Sequence, residues 1–571
     1  MFKPISLFYS DGYKVGHKKM LAKGTTKLYG TWIPRSTKYA PGGITKIVSF
    51  GQQLTMRWLH DEFQENFFSQ PRFVATQFGK DMSMYLGMEY DASHFEALHD
   101  VGYLPIRIKA LPEGIETNPN VPHMTFINTI DGFAWLTLYL ETIISSLAWK
   151  PATSATIALQ YRRNLVKWVM KTDPNNAWLI QFLAHDFSAR GLSPWDMLSS
   201  GLGHASSFRG SDSIIVIPGA RYFYDEPMDE VVINSVNASE HSVSTTKIFT
   251  VGEQQMIADW LVDFPKGILS IVSDTFDLWK LITEYLPANK EVIMARDGKL
   301  VIRPDSGDPV DIICGLNSLI KYRSYEFDEL YNQKVNFNFV HEGVWYKFDG
   351  DTLSELKEEY GEQNVWQVTN TIEGCIEQGV VERLSTQPSV AEQKGVIELL
   401  WDIFGGTINE QGYKVLDPHI GAIYGDSITL DRQIEIYERL AAKGFAATNI
   451  VLGVGSFTYQ MNTRDTLGFA AKGAWFEVSQ KAHSHPDEGE LDIRTGYDIY
   501  KDPITDSGKT KKSLKGLICV TTDYDGEYKV ITQCDAAMES VGILQTIYED
   551  GEFYNQTTLT EIRAKLEQIC K

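Results

Sequence analysis

The sequence predicts an α/β protein: an irregular, TIM-like β/α barrel joined to a second α+β domain built from the N- and C-terminal segments. Three observations predict it. Between residues 210 and 455, short apolar runs recur, and each stops at glycine or a polar residue. Helical periodicity fills the stretches between these runs. The two ends of the chain lack that rhythm and carry isolated strand signals instead. Repeated strand, polar loop and helix units indicate a parallel sheet. In such sheets, ligands collect at the carboxyl ends of the strands.

In chain order, strand signals fall at Lys27–Ile33 and Ile106–Ala110, with Pro112-Glu113-Gly114 as a turn. The longest apolar stretch, Gly132–Trp149, carries Glu141 and several Thr and Ser, so it reads as a buried helix and not a membrane span. Thr153–Met170 has helical spacing, with Ile157, Leu159, Leu165 and Val169 set among Arg162, Arg163 and Lys167. The barrel rhythm follows. Ile214–Ile217 comes after Gly210-Ser211-Asp212, and Val231–Ile233 precedes Ser235–His241. Ile268–Val272 ends in Ser273-Asp274, and Val301-Ile302 ends in Arg303-Pro304-Asp305. Ile420–Ile423 ends in Gly425-Asp426, and Ile450–Leu452 ends in Gly453-Val454-Gly455. Between the last two, Asp431–Lys443 is an amphipathic helix closed by Gly444.

Two stretches break the rhythm. Asn336–Lys394, rich in Glu and aromatics, reads as an inserted subdomain, and Gln480–Gly496 reads as an exposed polar loop. Beyond it, Gly516–Val520, Tyr528–Thr532 and a helix from Thr560 read as a return to the first domain. The expected division is residues 1–150 for the first part of the α+β domain, 151–470 for the barrel with its insertion at about 336–394, and 471–571 for the return.

The balance of 43% hydrophobic and 22% charged residues over 571 positions is that of a globular protein with a large core. A net charge of -21 argues against a nucleic-acid partner. Charge is nevertheless uneven. From Gly12 to His60 there is no acidic residue, while Lys14, Lys18, Lys19, Lys23, Lys27, Arg35, Lys38, Lys46 and Arg57 all fall there. Lys501, Lys509, Lys511, Lys512 and Lys515 form a second basic group. Such clusters on an acidic protein draw small polyanions into a cleft, or simply solvate a face. Five scattered cysteines without a CxxC pair, no signal-peptide core and no membrane-length apolar run give the expectation of a reduced, cytoplasmic protein.

The richest loop is Arg303-Pro304-Asp305-Ser306-Gly307-Asp308-Pro309, where a strand stops at an arginine, carboxylates and a glycine turn. His241 shares its rim with Asp274, Arg303, Asp305 and Asp426. Carboxylates, an arginine and glycine turns suit Mg²⁺ and phosphate esters. Phe187 beside Arg190 could stack a flat heteroaromatic ring, although core packing is the ordinary use of a phenylalanine. His483, His485, Asp487 and Glu488 read as a plain polar loop rather than a metal site, since no further ligand is suitably spaced.

Asp11-Gly12-Tyr13-Lys14-Val15, His185-Asp186-Phe187 with Arg190-Gly191, Gly210-Ser211-Asp212, Ser239-Glu240-His241-Ser242, Val272-Ser273-Asp274, Ile302-Arg303-Pro304-Asp305-Ser306-Gly307, Tyr424-Gly425-Asp426, Thr463-Arg464-Asp465 and Lys501-Asp502-Pro503 occur in this order. The set resembles the nicotinamide phosphoribosyltransferase family of type II phosphoribosyltransferases, over nearly the whole chain outside the two interruptions. The resemblance implies a homodimer with active sites shared across its interface. It implies formation of nicotinamide mononucleotide and diphosphate from nicotinamide and 5-phosphoribosyl 1-diphosphate in NAD salvage, with Mg²⁺ as cofactor and ATP as co-substrate. Phe187 and a partner-supplied Tyr13 would sandwich the pyridine ring, Asp212 would accept from the carboxamide, and Arg190 would lie near carboxamide and diphosphate. Arg303 and Asp305 would serve ribose and metal, with Asp274 beside them. Asp426 would hold ribose hydroxyls, and Gly425, Gly455 and Arg464 the 5′-phosphate. His241 would be phosphorylated by ATP. Lys472, Lys501 and Lys509 would reach the phosphates, and Asp11, Ser235 and Ser456 fall among the substrate-contacting positions. Two departures stand out. Gly453-Val454-Gly455-Ser456-Phe457 has fewer consecutive glycines than the family's phosphate turn, and Ser188-Ala189 predicts a looser ring pocket. The nicotinate enzyme of the same fold is the nearest alternative, and a non-catalytic nucleotide-binding or signalling protein is the alternative of another class.

Overall fold

The computed structural model describes residues 4–316, 337–341, 343–385, 387–425, 427–482, 491–501, 505 and 513–570. The chain divides into two compact units. One comprises residues 1–163, 186–234 and 456–571, the other residues 164–185 and 235–455.

The first unit is built on a seven-stranded sheet that both ends of the chain share. Its order is Leu491–Asp498, Ala470–Ala482, Thr25–Ile33, Met124–Asn128, Ile106–Ala110, Gln545–Glu549 and Glu552–Phe553. All its ladders are antiparallel. Trp32 and Phe469, both fully buried, stack in its core with centroids 4.3 Å apart. The register Thr31↔Lys472 joins the two ends of the chain directly. Gln480–Gly496 is therefore not simply a loop. Its flanks form a hairpin with Ala482 opposite Leu491, while residues 483–490, with His483 and His485, lie outside the described residues. The edge strand alternates Leu491, Ile493 and Tyr497 with Asp492, Arg494 and Asp498, but it is short, exposed and set in a polar stretch, so it reads as a loop.

The two helical signals around Pro151 merge into one helix, α1 (Ala134–Thr172). Proline removes one backbone donor and normally kinks or ends a helix. Here its ring packs against Gly51, where a Cβ would come within 2.5 Å of Pro151 Cγ. Gly51 also has φ 91°, a conformation that glycine adopts without strain. The apolar run Ile214–Ile217 is not a strand but leads into helix α2 (Val216–Phe223). Ile214 stays 74% exposed, whereas Val216 and Ala220 are buried, which is the one-sided pattern of a helix.

The second unit carries a curled, parallel half-barrel sheet. Its strands are β1 (Ala184–Asp186), β2 (Asn237–Ala238), β3 (Leu269–Val272), β4 (Leu300–Arg303), β5 (Ile420–Tyr424) and β6 (Ile450–Val454), in the order β1-β6-β5-β4-β3-β2. The ladders from β2 to β6 are parallel. Leu300, Ile302, Leu269, Ile271, Ile420 and Leu452 are all buried, so these strands read as unbroken apolar runs, as in a sheet covered on both faces. The predicted run Val231–Ile233 forms no ladder; its neighbour Asn234 makes a single parallel bridge to Gly210, and the paired strand starts three residues later. Helix α3 (His241–Val251) follows β2, and α4 (Leu430–Ala442) follows β5, one residue from each predicted boundary of the latter.

The insertion has a core of its own. Phe337–His341, Val344–Phe348 and Val381–Arg383 form a three-stranded antiparallel sheet. Phe339, Phe348, Leu353, Val365, Ile372, Cys375, Val380 and Val381 pack together beside it. Phe348 is 1% exposed at its centre. Replacing it with alanine should cost about 3–5 kcal/mol locally. Amide exchange should then accelerate across residues 344–383, while protection in β3, β4 and β5 is unchanged. Uniform acceleration in both regions would show that the insertion does not hold its own core.

Candidate active site

Three groups of side chains bear on function. The first is the rim of the parallel sheet. Three neighbouring strands, β2, β3 and β4, each lead into a polar loop; in β3 and β4 the buried apolar run ends there, whereas β2 is a short exposed Asn237-Ala238 pair. His241 opens α3, one residue past Glu240 at the cap position. Its Nε2 lies 3.1 Å from Asp305 Oδ1 and 3.7 Å from Asp274 Oδ1, and its Nδ1 lies 3.1 Å from Thr275 Oγ1. Asp274 Oδ2 accepts from the backbone N–H groups of Asp305, at 2.9 Å, and Ser306, at 2.7 Å. Its Oδ1 is buried without a hydrogen bond among the described residues. His241, Asp274 and Asp305 can each offer one ligand atom within 4.8 Å of the others.

Arg303 is held in place by its neighbours. Its backbone N–H donates to Ser273 Oγ at 3.1 Å, and one guanidinium N–H donates to the Ser239 carbonyl. Its Nε is buried with no acceptor among the described residues. Ser239 in turn accepts at Oγ from the Val272 N–H at 2.9 Å. Gly425, at the end of β5, lets this rim close. A Cβ there would lie 3.1 Å from Asp305 Cβ and 3.6 Å from the Arg303 side chain. Burial and the nearby Asp274, Asp308 and Asp305 carboxylates push the Tyr424 phenol upward, so it stays protonated and donates to the Gly307 carbonyl at 2.9 Å. The Arg303–Pro309 loop is thus both turn and site: Asp308 caps the following helix by accepting from the Val310 and Asp311 N–H groups. Gly455 is buried at the end of β6, and Ser235 is exposed just before β2. Asp426 lies outside the described residues.

The second group lies in the first unit. Phe187 is half-buried, and Arg190 and Asp212 are exposed. Asp186 joins their loops, since its carbonyl accepts from the Asp212 N–H at 2.9 Å and Asp186 bridges Ser211. Arg190-Gly191 runs close against Ser456. A Cβ on Gly191 would sit 2.3 Å from Ser456 Oγ, so only glycine allows this approach. Ser456 opens the short helix Ser456–Gln460, which is anchored from below. The buried Lys150 ammonium donates to the Tyr459 carbonyl, and the Tyr459 phenol, kept protonated mainly by burial, is hydrogen-bonded to His204 Nδ1 at 2.7 Å. Ser188 is fully buried, with its N–H held by Asp186 at 2.9 Å, which ties down the backbone just after Phe187.

The third group, also in the first unit, is an open cleft of about 410 Å³. Asp11, Tyr13, Arg464 and Lys472 line it together, with Lys14, Arg35 and Glu141. Tyr13 is 67% exposed. Lys14 is not free for a ligand, because its buried ammonium sits 2.7 Å from Glu141 Oε2 and donates to the Leu138 carbonyl. Thr142 Oγ1 donates to Asp11 Oδ2 at 2.6 Å. The acid-free segment also supplies Arg35, whose Nε donates to the Gly468 carbonyl at 3.0 Å, while three others, Lys27, Lys46 and Arg57, pair with Asp131, Glu527 and Asp225. Lys501 is exposed outside this cleft, its N–H donating to Ser513 Oγ at 2.8 Å, and Lys509 lies outside the described residues. The sequence reading missed Arg35, Thr275 and Asp186. Arg35 was visible as one of nine basic residues, and the others only as neighbours of residues already singled out.

No helix among the described residues is long and apolar enough to cross a membrane. The profile of the nicotinate phosphoribosyltransferase (NAPRTase) family matches residues 182–360 and 373–551. The chain is 36% identical to a nicotinamide phosphoribosyltransferase of Acinetobacter baylyi over 98% of its own length and 96% of that protein. It is 28% identical to a nicotinamide phosphoribosyltransferase of Mycoplasma pneumoniae, over 89% and 94% of the two chains. Among solved structures, nicotinate-nucleotide pyrophosphorylase of Pyrococcus furiosus is similar with a TM-score of 0.47 at 14% identity, covering 99% of this chain and 94% of that one. The chain therefore belongs to the nicotinate phosphoribosyltransferase (NAPRTase) family and is a pentosyltransferase of NAD biosynthesis.

Proposed function

We propose that the protein transfers the phosphoribosyl group of 5-phosphoribosyl 1-diphosphate to nicotinamide, with ATP hydrolysis coupled through a phosphohistidine. The observation that carries the pyridine assignment is a carboxylate, Asp212, set beside the Phe187 loop by the Asp186 carbonyl. A carboxylate accepts from the NH₂ of an amide and repels the carboxylate of nicotinate. The family name and the names of the relatives differ on this point, so the base is the matter to test.

Displacing diphosphate from C1 of ribose passes through an oxocarbenium-like state. The C1–O bond to diphosphate breaks as the pyridine nitrogen bonds to C1. The protein's part is to hold that nitrogen in line and neutralise the leaving group. Arg303, Arg190, Arg464 and Lys472 are the cations assigned to that task, with Lys501 and Lys509. Gly425, Gly455 and Ser456 are assigned to the 5′-phosphate, and Asp426, with Asp11 and Ser235 at the margins, to the ribose and its surroundings. The residues present fit Mg²⁺: Asp274 Oδ1 is a buried carboxylate oxygen without a hydrogen bond, and Asp305 is beside it. Bound Mg²⁺ would offset charge on the diphosphate.

His241 is arranged as a nucleophile toward ATP. A carboxylate can only accept, so Nε2 donates to Asp305; in the neutral imidazole Nδ1, beside the Thr275 hydroxyl at 3.1 Å, is then the nucleophilic nitrogen. Attack of Nδ1 on the γ-phosphorus forms the N–P bond and releases ADP; water later returns phosphate. His241 is the first residue of α3, and a helix N-terminus favours added negative charge. The cleft of Asp11, Tyr13, Arg464 and Lys472 holds none of Phe187, Arg190 or Asp212. That separation supports a homodimer in which this cleft completes the site of a second copy. The parallel order of β2 to β6 supports an irregular β/α barrel.

Initial rates with both pyridines test the base. Nicotinamide should be used faster than nicotinate, and the reverse order would defeat the assignment. Asp212→Asn should cut the preference by about tenfold, the equivalent of roughly 1.4 kcal/mol; an unchanged preference removes Asp212 as its reader. His241→Ala should abolish protein labelling by [γ-³²P]ATP while nicotinamide mononucleotide still binds. Labelling that persists in this variant would disprove the phosphohistidine.

A further inference from the structure

Asp186 is fully buried, yet the reaction as described gives it no role. Its Oδ1 accepts from the Ser188 N–H at 2.9 Å. Its Oδ2 accepts from Ser213 Oγ at 2.6 Å and Ser211 Oγ at 3.2 Å. Its own carbonyl takes the Asp212 N–H at 2.9 Å. One residue therefore grips the position just after Phe187 and all three residues of the Ser211-Asp212-Ser213 loop. None of these partners is a cation.

A carboxylate that is desolvated without a counter-cation is expensive to fold around. Charge-assisted hydrogen bonds are shorter and stiffer than neutral ones, and this carboxylate makes three. The cost is offset only if the two loops must be held in fixed register. The side chains that leave these loops toward the surface are Phe187 and Asp212. We propose that Asp186 is a positioning residue for the pyridine pocket, fixing the ring of Phe187 relative to the carboxylate of Asp212. This rests on the assignment of those two residues to the pyridine.

The test is steady-state kinetics on the full chain, with the pyridine taken as whichever of nicotinamide and nicotinate the wild type turns over faster. A wild type that prefers nicotinate thus defeats the amide assignment and leaves this test intact. Asp186→Asn should raise the pyridine KM about tenfold or more, with the KM for phosphoribosyl diphosphate within about twofold of wild type. Ser213→Ala, which removes one donor, should raise the pyridine KM about threefold. Ser213→Thr keeps the hydroxyl and should rescue it. Parallel changes in both KM values, or an unchanged pyridine KM in a folded Asp186→Asn enzyme, overturn the proposal. Should Asp186→Asn fail to fold, the Ser213 pair decides, and alanine and threonine variants that behave alike overturn it.

Discussion

The rim of the parallel sheet depends on one carboxylate. Asp274 stands where β3 ends, and its Oδ2 takes two backbone N–H groups from the loop after β4. Those N–H groups lie past the end of the ladder and need an acceptor if the loop is to stay folded against the sheet. Satisfying them fixes Asp305, whose Oδ1 then reaches His241 Nε2 at 3.1 Å. The second oxygen of Asp274 has no hydrogen bond among the described residues and lies 3.7 Å from the same imidazole. Three consecutive strands thus share one small polar group, and removing Asp274 would release all of it at once. Preorganisation of this kind costs nothing at the moment of reaction, which is why it favours a charged transition state.

The first unit solves a different problem, the close approach of side chains to glycine backbone. Gly191 against Ser456 and Gly51 against Pro151 are contacts that a single methyl group would break. The first brings the loop of Arg190 to the start of the Ser456 helix, and the second lets α1 run on through a proline. Charge is treated just as specifically. Of the basic residues crowded between Gly12 and His60, several are tied to carboxylates, and Lys14 is buried against Glu141. The cations that line the cleft, Arg35, Arg464 and Lys472, come from segments more than 400 residues apart and are joined by the ladder of Thr25–Ile33 with Ala470–Ala482.

Much of this was legible in the linear order. Runs such as Leu300–Arg303 and Ile450–Val454 are apolar throughout and stop at polar residues, so strand and rim are announced together. The amphipathic helix at residues 430–442 could be read to within a residue because its period, its cap and Gly444 agree. Other elements gave no such agreement. Ile214–Ile217 is as apolar as a strand, but half of it faces water as a helix entry. The strand Leu491–Asp498 is exposed along nearly all its length, and its alternating Leu491, Ile493 and Tyr497 bury no face that would set it apart from a polar loop. Asp186 lay inside a string that was read for its phenylalanine and arginine; a buried carboxylate cannot be told from an exposed one without its partners.

The sequence by itself determined the α/β class with its parallel sheet and the polar strand ends that carry His241, Asp274, Arg303 and Asp305. The strand signals at Gly516–Val520 and Tyr528–Thr532 form a two-stranded sheet of their own and not part of the first sheet. The class and the strand ends follow from local periodicity and from where apolar runs end, which are properties of neighbouring residues. Tertiary structure alone decided which groups meet. Asp274 as acceptor for the next loop, Thr275 on the second nitrogen of His241, Lys14 as a buried structural cation and Asp186 as the tie between two loops all depend on contacts between distant segments. Burial and hydrogen-bond partnership arise from packing, and no spacing along a single chain encodes them directly.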